Sequence, residues 1–326
     1  MKTTRRTLIA TAAATLAMPT LVRANAWPSK PIRLIATFPP GGLADTICRV
    51  MAPKYSELLG QQVLVDNRPG AGGTLGADLV AKAPPDGHTL VMSHASPHGV
   101  APGIYSKLPY DPIADFSHLT LIGDAPNIFV VPPESPYKSL ADFVAAVKAK
   151  PGEVAFGSSG VGSTTHLMGE NFGQLIGAKL KHVPYRGSAP SLADMWAGVI
   201  PSMFDPITTN VGHMRTGKIR VLAISTAKRI APFPDVPTFA EQGFPKMTTS
   251  TWVGLSGPKG MPADVQAKLY EATMKVVAMP DVRARFDELA LFVPEKPMAP
   301  KEFSTFIAAF VDIWTKVSRA ANVQVE

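Results

Sequence analysis

The sequence predicts an α/β protein with two lobes, each built on a mostly parallel sheet flanked by helices. Short runs rich in β-branched and other apolar residues, such as IRLIATF and IRVLAIS, alternate with segments that have helical spacing. This alternation is typical of parallel sheets covered by helices. Stretches rich in proline and turn residues separate two sets of alternating segments, and this separation predicts two lobes.

The N-terminus has the pattern of a secretory signal. Residues 1–26 begin with the basic stretch KTTRR after the first methionine, continue with an apolar stretch and end in the small residues ANA. The apolar stretch is too short for a membrane-spanning helix. We therefore expect the mature chain to begin at Trp27. The Arg5-Arg6 pair is compatible with twin-arginine export, and the general secretory route is the alternative.

Composition narrows the class of protein. The whole chain has a formal net charge of +7, and residues 1–26 hold four basic residues and no acidic one, which leaves +3 for the mature chain. This small charge argues against nucleic acid as a partner. The single cysteine, Cys48, excludes an internal disulfide and is expected to be a small buried filler. We expect an exported monomer in a bacterial periplasm, without a cofactor.

The elements follow one another regularly along the chain. Strands are expected at IRLIATF, QVLVD, HTLVMS, NIFVV, EVAFGSS, LKHVPY, PSMFD and IRVLAIS, and helices from Leu43, from about Thr74, and at LADFVAAVKAK, TTHLMGENFGQLIG, SLADMWAG and TTNVGHMRTG. The last segments, DVQAKLYEATMKVVAM and KEFSTFIAAFVDIWTKVSRAA, are amphipathic and are expected to cover the first lobe. The first lobe is expected at 27–125 and 249–326, and the second at 126–248.

The loop FPPGG, residues 38–42, is the first candidate ligand contact. It begins with Phe38 and joins a predicted strand to a predicted helix. If Gly42 precedes that helix, the N–H groups of Leu43, Ala44 and Asp45 have no acceptor within the helix and point towards a small anion. The alternative is a strand-to-helix turn without a ligand.

The second lobe has a similar loop, FGSSGVGSTTHL, at residues 156–167. Its glycines permit unusual backbone angles, and Ser163 or Thr164 can cap the following helix. In open α/β sheets, ligands lie beyond the carboxyl ends of the strands, so two such loops on facing lobes converge on one cleft. Ser93, which opens the loop SHASPHGVAPGIY, is a further candidate contact.

Other functions find less support in the residues. GAGGTLG does not fit the dinucleotide fingerprint, and no glycine loop is followed by G-K-[ST]. Ser163 and His166 are three residues apart on one helix with no carboxylate placed to orient the imidazole, so we interpret His166 as a structural residue near the cleft. His94 and His98 lack further placed ligands, so no metal is expected.

Two acidic residues have two possible roles each. Asp45 stabilises the start of its helix through the macrodipole, by about 0.3–1 kcal/mol, or it orients a water or receives a ligand amine or hydroxyl. Asp205 ends the predicted strand PSMFD, where it either caps a helix or receives ligand in the same way.

The ordered motifs WPSKPIRLIATFPPGGLAD, DNRPGAGGTLGA, LPYDP, FGSSGVGSTTHL, HVPYRGSAPSLADMWAG, MFD and RIAPFPDVPTFAEQG resemble those of substrate-binding receptors of the tripartite tricarboxylate transporter family, the Bug-type receptors. The resemblance covers essentially the whole mature chain. It implies a two-lobed periplasmic binding fold, type II-like, with a cleft that closes on a small carboxylate. By this resemblance, the first lobe binds through the backbone of Gly41, Gly42 and Leu43 and through Asp45 by way of water, and the second through Ser158, Gly160, Val161, Gly162, Ser163 and Asp205.

The chain departs from the family in two loops, FPPGG with its flank and SHASPHGVAPGIY, where relatives often show a Gly-Thr pair and an Asn-Pro. Leu43 and Ala44 stand where relatives commonly carry small or hydroxylated residues, which suggests a more apolar ligand, for example an aromatic one. We expect a receptor, not an enzyme, that delivers a small organic acid, for example a dicarboxylate or an aromatic carboxylate, to membrane permease subunits. The alternatives are an exported α/β hydrolase-like enzyme and a sensor receptor without a transport role.

Overall fold

A computed structural model describes residues 27–324; the predicted signal and its proposed cleavage lie outside the described residues. The strands are β1 (Ile32–Ala36), β2 (Val63–Asn67), β3 (Thr89–His94), β4 (Phe116–Val131), β5 (Ala155–Ser158), β6 (Lys181–Pro184), β7 (Met203–Pro206), β8 (Arg220–Ile224) and β9 (Ser250–Pro258). The α-helices are α1 (Leu43–Leu59), α2 (Thr74–Ala81), α3 (Leu140–Ala149), α4 (Thr164–Ile176), α5 (Ser188–Trp196), α6 (Val211–Arg215), α7 (Ala263–Ala278), α8 (Pro280–Glu288) and α9 (Pro300–Ala320).

The strands form one continuous sheet in the order β2-β1-β3-β9-β4-β7-β5-β6, with β8 also paired to β4. The pairs β1–β2, β1–β3, β5–β6 and β5–β7 are parallel. Strand β4 runs antiparallel to β7, β8 and β9, and β3 runs antiparallel to β9. The predicted α/β class with two lobes is therefore confirmed, with antiparallel strands where the chain passes from one lobe to the other.

Strand β4 belongs to both lobes. Over its first part it pairs with β9, from Phe116 opposite Pro258 to Pro126 opposite Ser250. From Asn127 onwards it pairs with β7 and β8 instead. We call the part of the molecule around β1, β2, β3 and β9 the first lobe and the part around β5 to β8 the second lobe. Strands β4 and β9, where the chain passes from one lobe to the other, are paired with each other and form the junction between the lobes.

Helix α1 shows how the sequence specifies an element in the first lobe. It begins directly after Gly42 and ends at Gly60, whose φ of 66° is in the left-handed region that favours glycine at a helix end. Its apolar face, which includes Ile47, Met51 and Tyr55, packs into the main core of the first lobe. Cys48 lies on the same face and is fully buried, as predicted, and burial raises the pKa of its thiol.

The C-terminal helix α9 contacts both lobes, whereas the sequence predicts cover for the first lobe alone. Phe303 packs edge-on against Trp252 of β9. Trp314 belongs to the core cluster of the second lobe. The Ser318 hydroxyl donates to the carbonyl of Gly103 at 2.8 Å. The aromatic residues of α9 extend along its length, which gives the helix enough apolar surface to pack on both lobes.

Among the described helices, none combines the length and apolar character needed to span a membrane.

Candidate ligand-binding site between the lobes

The loop FPPGG positions the start of α1 at the junction of the lobes. Gly41 has a φ of 81°, and its N–H donates to the Asp45 carboxylate at 2.9 Å. The Gly42 N–H donates to the carbonyl of Pro39 at 3.1 Å, which closes a turn. Gly42 supplies no side-chain cap, so the amides of the first turn, beginning with Leu43, are left without an acceptor inside the helix.

Asp45 holds this loop in place. Its carboxylate accepts hydrogen bonds from Gly41, from Asn67 at 2.9 Å and from Arg49 at 3.0 Å. Burial opposes ionisation of this carboxyl, but the hydrogen bonds from Arg49, Gly41 and Asn67 outweigh it and lower its pKa. These contacts support a positioning role. The water-mediated contact between Asp45 and a ligand stays a prediction, as does a ligand contact at Gly41, whose N–H already has an acceptor.

Ser163 caps α4 at the other side of the junction. Its hydroxyl accepts from the N–H of His166 at 3.1 Å and donates to the carbonyl of Gly160 at 2.7 Å. Of the two capping residues that the sequence offered, Ser163 and Thr164, the cap is Ser163. The N–H of Thr165, in the first turn of α4, has no acceptor inside the helix.

The rest of the second loop is held by hydrogen bonds to its own side chains. The Gly160 N–H donates to the Ser158 hydroxyl at 3.1 Å, and the Ser159 N–H donates to the Thr165 hydroxyl at 3.0 Å. The Gly162 N–H donates to Nδ1 of His166 at 3.3 Å. Most amides that the sequence offers as ligand donors are thus occupied within the loop, which gives it a fixed shape.

His166 lies behind this loop, stacked on His182 with ring centroids 3.9 Å apart. Nε2 of His182 is 2.7 Å from the Ser158 hydroxyl. Burial lowers the pKa of His166 to about 4 and that of His182 to about 3, so both rings are neutral at pH 7. These contacts favour the structural interpretation of His166.

The side chains of His166, His182 and Glu170 have potential metal-ligating atoms within 4.8 Å of one another. Nδ1 of His166 accepts from Gly162, which places the ring proton on Nε2, the nitrogen nearer Glu170. The two imidazoles are nearly parallel, with an interplanar angle of 18°, so their lone pairs lie in separate planes and do not converge on one point. The geometry therefore does not fit a metal ion.

Asp205 is buried in β7 and accepts hydrogen bonds from neighbouring hydroxyl groups. Its carboxylate accepts from Ser188 at 2.6 Å, from Thr209 and Asn210 at 2.7 Å each, and from Ser159 at 3.3 Å. Burial raises its pKa to about 6, although these hydrogen bonds act in the opposite direction. Asp205 fixes the orientation of Ser159 and Ser188, which do face the cavity.

The sequence predicts a third helix at SLADMWAG but did not identify its start as part of the ligand site. Helix α5 begins at Ser188 after Gly187, which has a φ of 107° and gives no side-chain cap. The segment HVPYRGSAPSLADMWAG contains the same order of strand, glycine and helix as FPPGG and its flanks. That order is a signal from which the site could have been found.

The starts of α1, α4 and α5 meet at one small cavity between the lobes, the inner cavity. Its volume is about 30 Å³. Four sequence-predicted residues line it: Phe38, Gly42, Leu43 and Ser163. The lining residues that were not among the predicted ligand contacts include His94, Ser96, Ser159, Thr164, Thr165, Arg186, Gly187 and Ser188. Two lobes therefore contribute helix starts and hydroxyl groups to a common site, whose walls also include apolar residues such as Phe38 and Leu43.

A larger space, the outer cavity, adjoins the inner one and shares Phe38, Pro39, Ser159, Arg186 and Gly187 with it. Its volume is about 520 Å³. The predicted residues Gly160 and Val161 line the outer cavity. The other predicted residues line neither cavity: Gly41, Asp45, Ser93, Ser158, Gly162, His166 and Asp205. Ser93, for example, is hydrogen bonded to Ser256 inside the first lobe.

The two lobes are in direct contact around these cavities. The Thr164 N–H of the second lobe donates to the Ser96 hydroxyl of the first at 3.1 Å. Gly72 of the first lobe is so close to the second that a Cβ atom there would lie 2.9 Å from the carbonyl carbon of Gly162. The described conformation is therefore a closed one, in which the two lobes touch beside the inner cavity.

Two lobes on one shared sheet, closed over a cavity at three helix starts, are the architecture of a solute-binding receptor. The chain belongs to the family described as the tripartite tricarboxylate transporter family receptor, which it matches over residues 47–322. This confirms the resemblance seen in the sequence motifs. The family consists of solute-binding receptors and is not a family of enzymes.

Three similar proteins illustrate this relationship. Protein BugT of Bordetella pertussis is 40% identical over 240 residues, which cover 73% of this chain and 74% of BugT. MatC (Rpa3494) from Rhodopseudomonas palustris, solved with bound malate, is 32% identical with a TM-score of 0.85, covering 89% of this chain and 99% of that one. R. palustris Rpa4515, solved with adipate, is 31% identical with a TM-score of 0.87, covering 91% and 99%.

Proposed function

We propose that this protein is a periplasmic receptor that binds a small organic carboxylate between its lobes and delivers it to the permease subunits of a membrane transporter. The observation that carries the proposal is the meeting of three helix starts at the inner cavity, from α1, α4 and α5. Helix N-termini present unpaired amides and a positive potential, which favour an anion. Arg186 adds a formal positive charge to the same walls.

The energies are sufficient for such binding. Micromolar affinity requires about −8 kcal/mol. Each charge-assisted hydrogen bond to a carboxylate contributes about 1.5–3 kcal/mol, so four or five of them reach this value after the costs of association. The helix dipoles contribute less, about 0.3–1 kcal/mol each. The amides and hydroxyl groups at the three helix starts therefore supply most of the affinity.

The related proteins solved with malate and with adipate support a carboxylate as the ligand class. Export to the periplasm rests on the predicted signal at residues 1–26 and on the family. The hydrolase alternative lacks the necessary contact, because Ser163 donates its proton to the Gly160 carbonyl and Nδ1 of His166 accepts from Gly162.

Ligand binding is expected to raise the melting temperature without consuming the ligand. A ligand that binds the folded state alone stabilises it by about 2.7 kcal/mol at a hundredfold excess over its dissociation constant. This corresponds to a shift of several degrees, at about 2–4 °C per kcal/mol. The measurement is a thermal-shift screen of aliphatic and aromatic mono- and dicarboxylates, hydroxy acids and amino acids, with recovery of each hit after long incubation. Turnover of a hit that is abolished by Ser163→Ala would instead support the enzyme.

The substitution Gly42→Val is expected to weaken binding of such a hit at least about tenfold. A Cβ atom at position 42 would lie 3.2 Å from the Pro39 carbonyl, and the branched side chain would occupy part of the inner cavity. Calorimetric titration measures the affinity. Gly212→Val is the matched control, because a Cβ atom at position 212 meets nothing within 4 Å. Equal affinity of wild type and Gly42→Val would show that FPPGG is merely a turn.

A further inference from the structure

We infer that a row of buried polar side chains acts as a latch that holds the two lobes closed. The row, which we call the relay, consists of Ser96, Thr164, Thr251 and Asn127. It contributes to the equilibrium between open and closed protein whether or not a ligand is bound, so it does not depend on the proposed function. The place of the relay in the fold, its burial and the direction of its hydrogen bonds support this role.

The relay connects the inner cavity with the junction of the lobes. Ser96 follows β3 in the first lobe, Thr164 is the first residue of α4 in the second lobe, and both line the inner cavity. Thr251 lies on β9 and Asn127 on β4, the two strands of the junction. Asn127 is the residue at which β4 leaves β9 and begins to pair with β7. The relay therefore ends at the point where the chain passes from one lobe to the other.

The hydrogen bonds of the relay have one direction. The amide oxygen of Asn127 can only accept, so the Thr251 hydroxyl donates to it, at 2.8 Å. A hydroxyl has a single proton, so the Thr251 oxygen accepts from the Thr164 hydroxyl, at 3.0 Å. The Ser96 hydroxyl donates to the Thr164 hydroxyl at 3.4 Å, and its oxygen accepts from the Thr164 N–H at 3.1 Å. Thr164 is thereby held by the junction on one side and by the first lobe on the other.

The side chains of the relay are shielded from water. Three of them are fully buried, and Thr164 is 2% exposed. Separation of the lobes would break the two hydrogen bonds between Ser96 and Thr164, because these are the bonds of the relay that cross from one lobe to the other. A buried hydrogen bond keeps a net advantage over its replacement by water, and hydrogen bonds in a row strengthen one another. The relay therefore favours the closed conformation.

The end of the relay at Asn127 is anchored to the second lobe. The backbone N–H of Asn127 donates to the Ser225 hydroxyl at 2.8 Å, and its carbonyl accepts from the Ser225 N–H at 2.8 Å. Nδ2 of Asn127 is buried and has no hydrogen-bond partner within residues 27–324. Among these residues, the bond from Thr251 is thus the one that orients the Asn127 side chain.

The equilibrium between open and closed protein can be measured without a ligand, by single-molecule energy transfer between a dye on each lobe. Glu57→Cys in the first lobe and Lys181→Cys in the second place the dyes at exposed positions. The native Cys48 is fully buried and stays unlabelled. The ratio of closed to open molecules then reports the strength of the latch.

Ser96→Ala is expected to lower the ratio of closed to open molecules about tenfold, because the N–H and the hydroxyl of Thr164 lose their partner in the first lobe. Thr251→Val removes the middle hydroxyl of the relay and is expected to lower the ratio less, about threefold, since the Thr164 N–H keeps its bond to Ser96. Thr251 lines neither cavity, so its effect does not come from a lost ligand contact. This variant also carries the test if Ser96→Ala does not fold, because valine has nearly the shape of threonine.

Ser202→Ala is the matched control. The Ser202 hydroxyl is fully buried too, but it donates to the carbonyl of Ala155 inside the second lobe, at 2.9 Å, so the ratio is expected to stay that of the wild type. In a protein that is mostly open without ligand, Thr251→Val also raises the dissociation constant of every carboxylate hit by the same factor, whatever its chemistry. Equal ratios and equal dissociation constants in wild type, Ser96→Ala and Thr251→Val would overturn the inference and leave the proposed function intact. If no carboxylate binds, the proposed function fails, and the ratio measured without ligand still decides whether the latch exists.

Discussion

Replacing Gly72 with alanine is expected to lower the affinity for a carboxylate ligand at least about tenfold, because the new side chain would prevent the lobes from closing. A Cβ atom at position 72 would lie 2.9 Å from the carbonyl carbon of Gly162 and 2.9 Å from the carbonyl oxygen of Val161. Both atoms belong to the backbone of the opposite lobe and cannot move aside as a flexible side chain would. Calorimetry measures the affinity, and small-angle scattering measures the separation of the lobes.

Gly60→Ala is the control for this substitution. Gly60 has a φ of 66°, close to the 63° of Gly72, and a Cβ atom there meets nothing within 4 Å. Both variants carry the strain of a left-handed alanine, about 1–2 kcal/mol, but the collision between lobes occurs in one of them. If the two variants bind ligand equally well, the bound state does not use the contact between Gly72 and Gly162.

Replacing Asp205 with alanine is expected to destabilise the protein by about 3 kcal/mol and to lower its melting temperature by about 6–12 °C. The hydroxyls of Ser188 and Thr209 and the amide of Asn210 would lose their buried acceptor. Loss of a buried desolvated charge offsets part of this cost. The same variant would release Ser159 and Ser188 from their fixed orientation, so ligand affinity should fall with stability. An unchanged melting temperature would show that Asp205 does not hold this part of the second lobe together.

The pH dependence of stability provides a second measurement at the same residue. Burial raises the pKa of Asp205 to about 6 in the folded protein from 3.8. Between these values the folded state holds a proton that the unfolded state has released, so this group makes the protein less stable as pH rises from about 4 to about 6. The total change is about 3 kcal/mol. Chemical denaturation measures the free energies of unfolding of wild type and Asp205→Asn across this pH range. From pH 4 to pH 6, we expect the value for wild type to fall by about 3 kcal/mol relative to the value for Asp205→Asn. A constant difference would contradict the raised pKa.

The sequence predicted the repeated local features of the fold because they depend on short-range periodicity. The alternation of apolar residues placed most strands and helices, and the order of strand, glycine and helix placed the start of α1. The second loop was also found, with Ser163 as one of two candidate caps. Strands β4 and β9 were harder to predict, because their pairing joins segments that are far apart in the sequence.

The roles of individual side chains were less accessible to sequence reasoning. Asp45 turns towards Asn67, and Asp205 turns towards Ser188, because tertiary packing brings these partners within reach. Arg49, one helical turn after Asp45, is the one partner that the spacing in the sequence could have indicated. A sequence shows the helix position of an acidic residue but not the direction that its carboxylate takes. Arg186 was not predicted as a site residue, because a single arginine in a polar loop gives no periodic signal.

The pairing of β3 with β9 has a consequence for the order in which the protein folds. The strands of the second lobe, β5 to β8, all lie between β4 and β9 in the chain, whereas β3 must wait for β9 before its second edge is paired. In a chain that is made or exported from its N-terminus, strands β1 to β3 form before β9 is available. One edge of β3 is therefore unpaired while the second lobe assembles. Strands that are far apart in the sequence pair slowly, and an unpaired strand edge forms hydrogen bonds with the strands of other chains. Truncation before Ser250 should yield aggregation rather than an isolated first lobe.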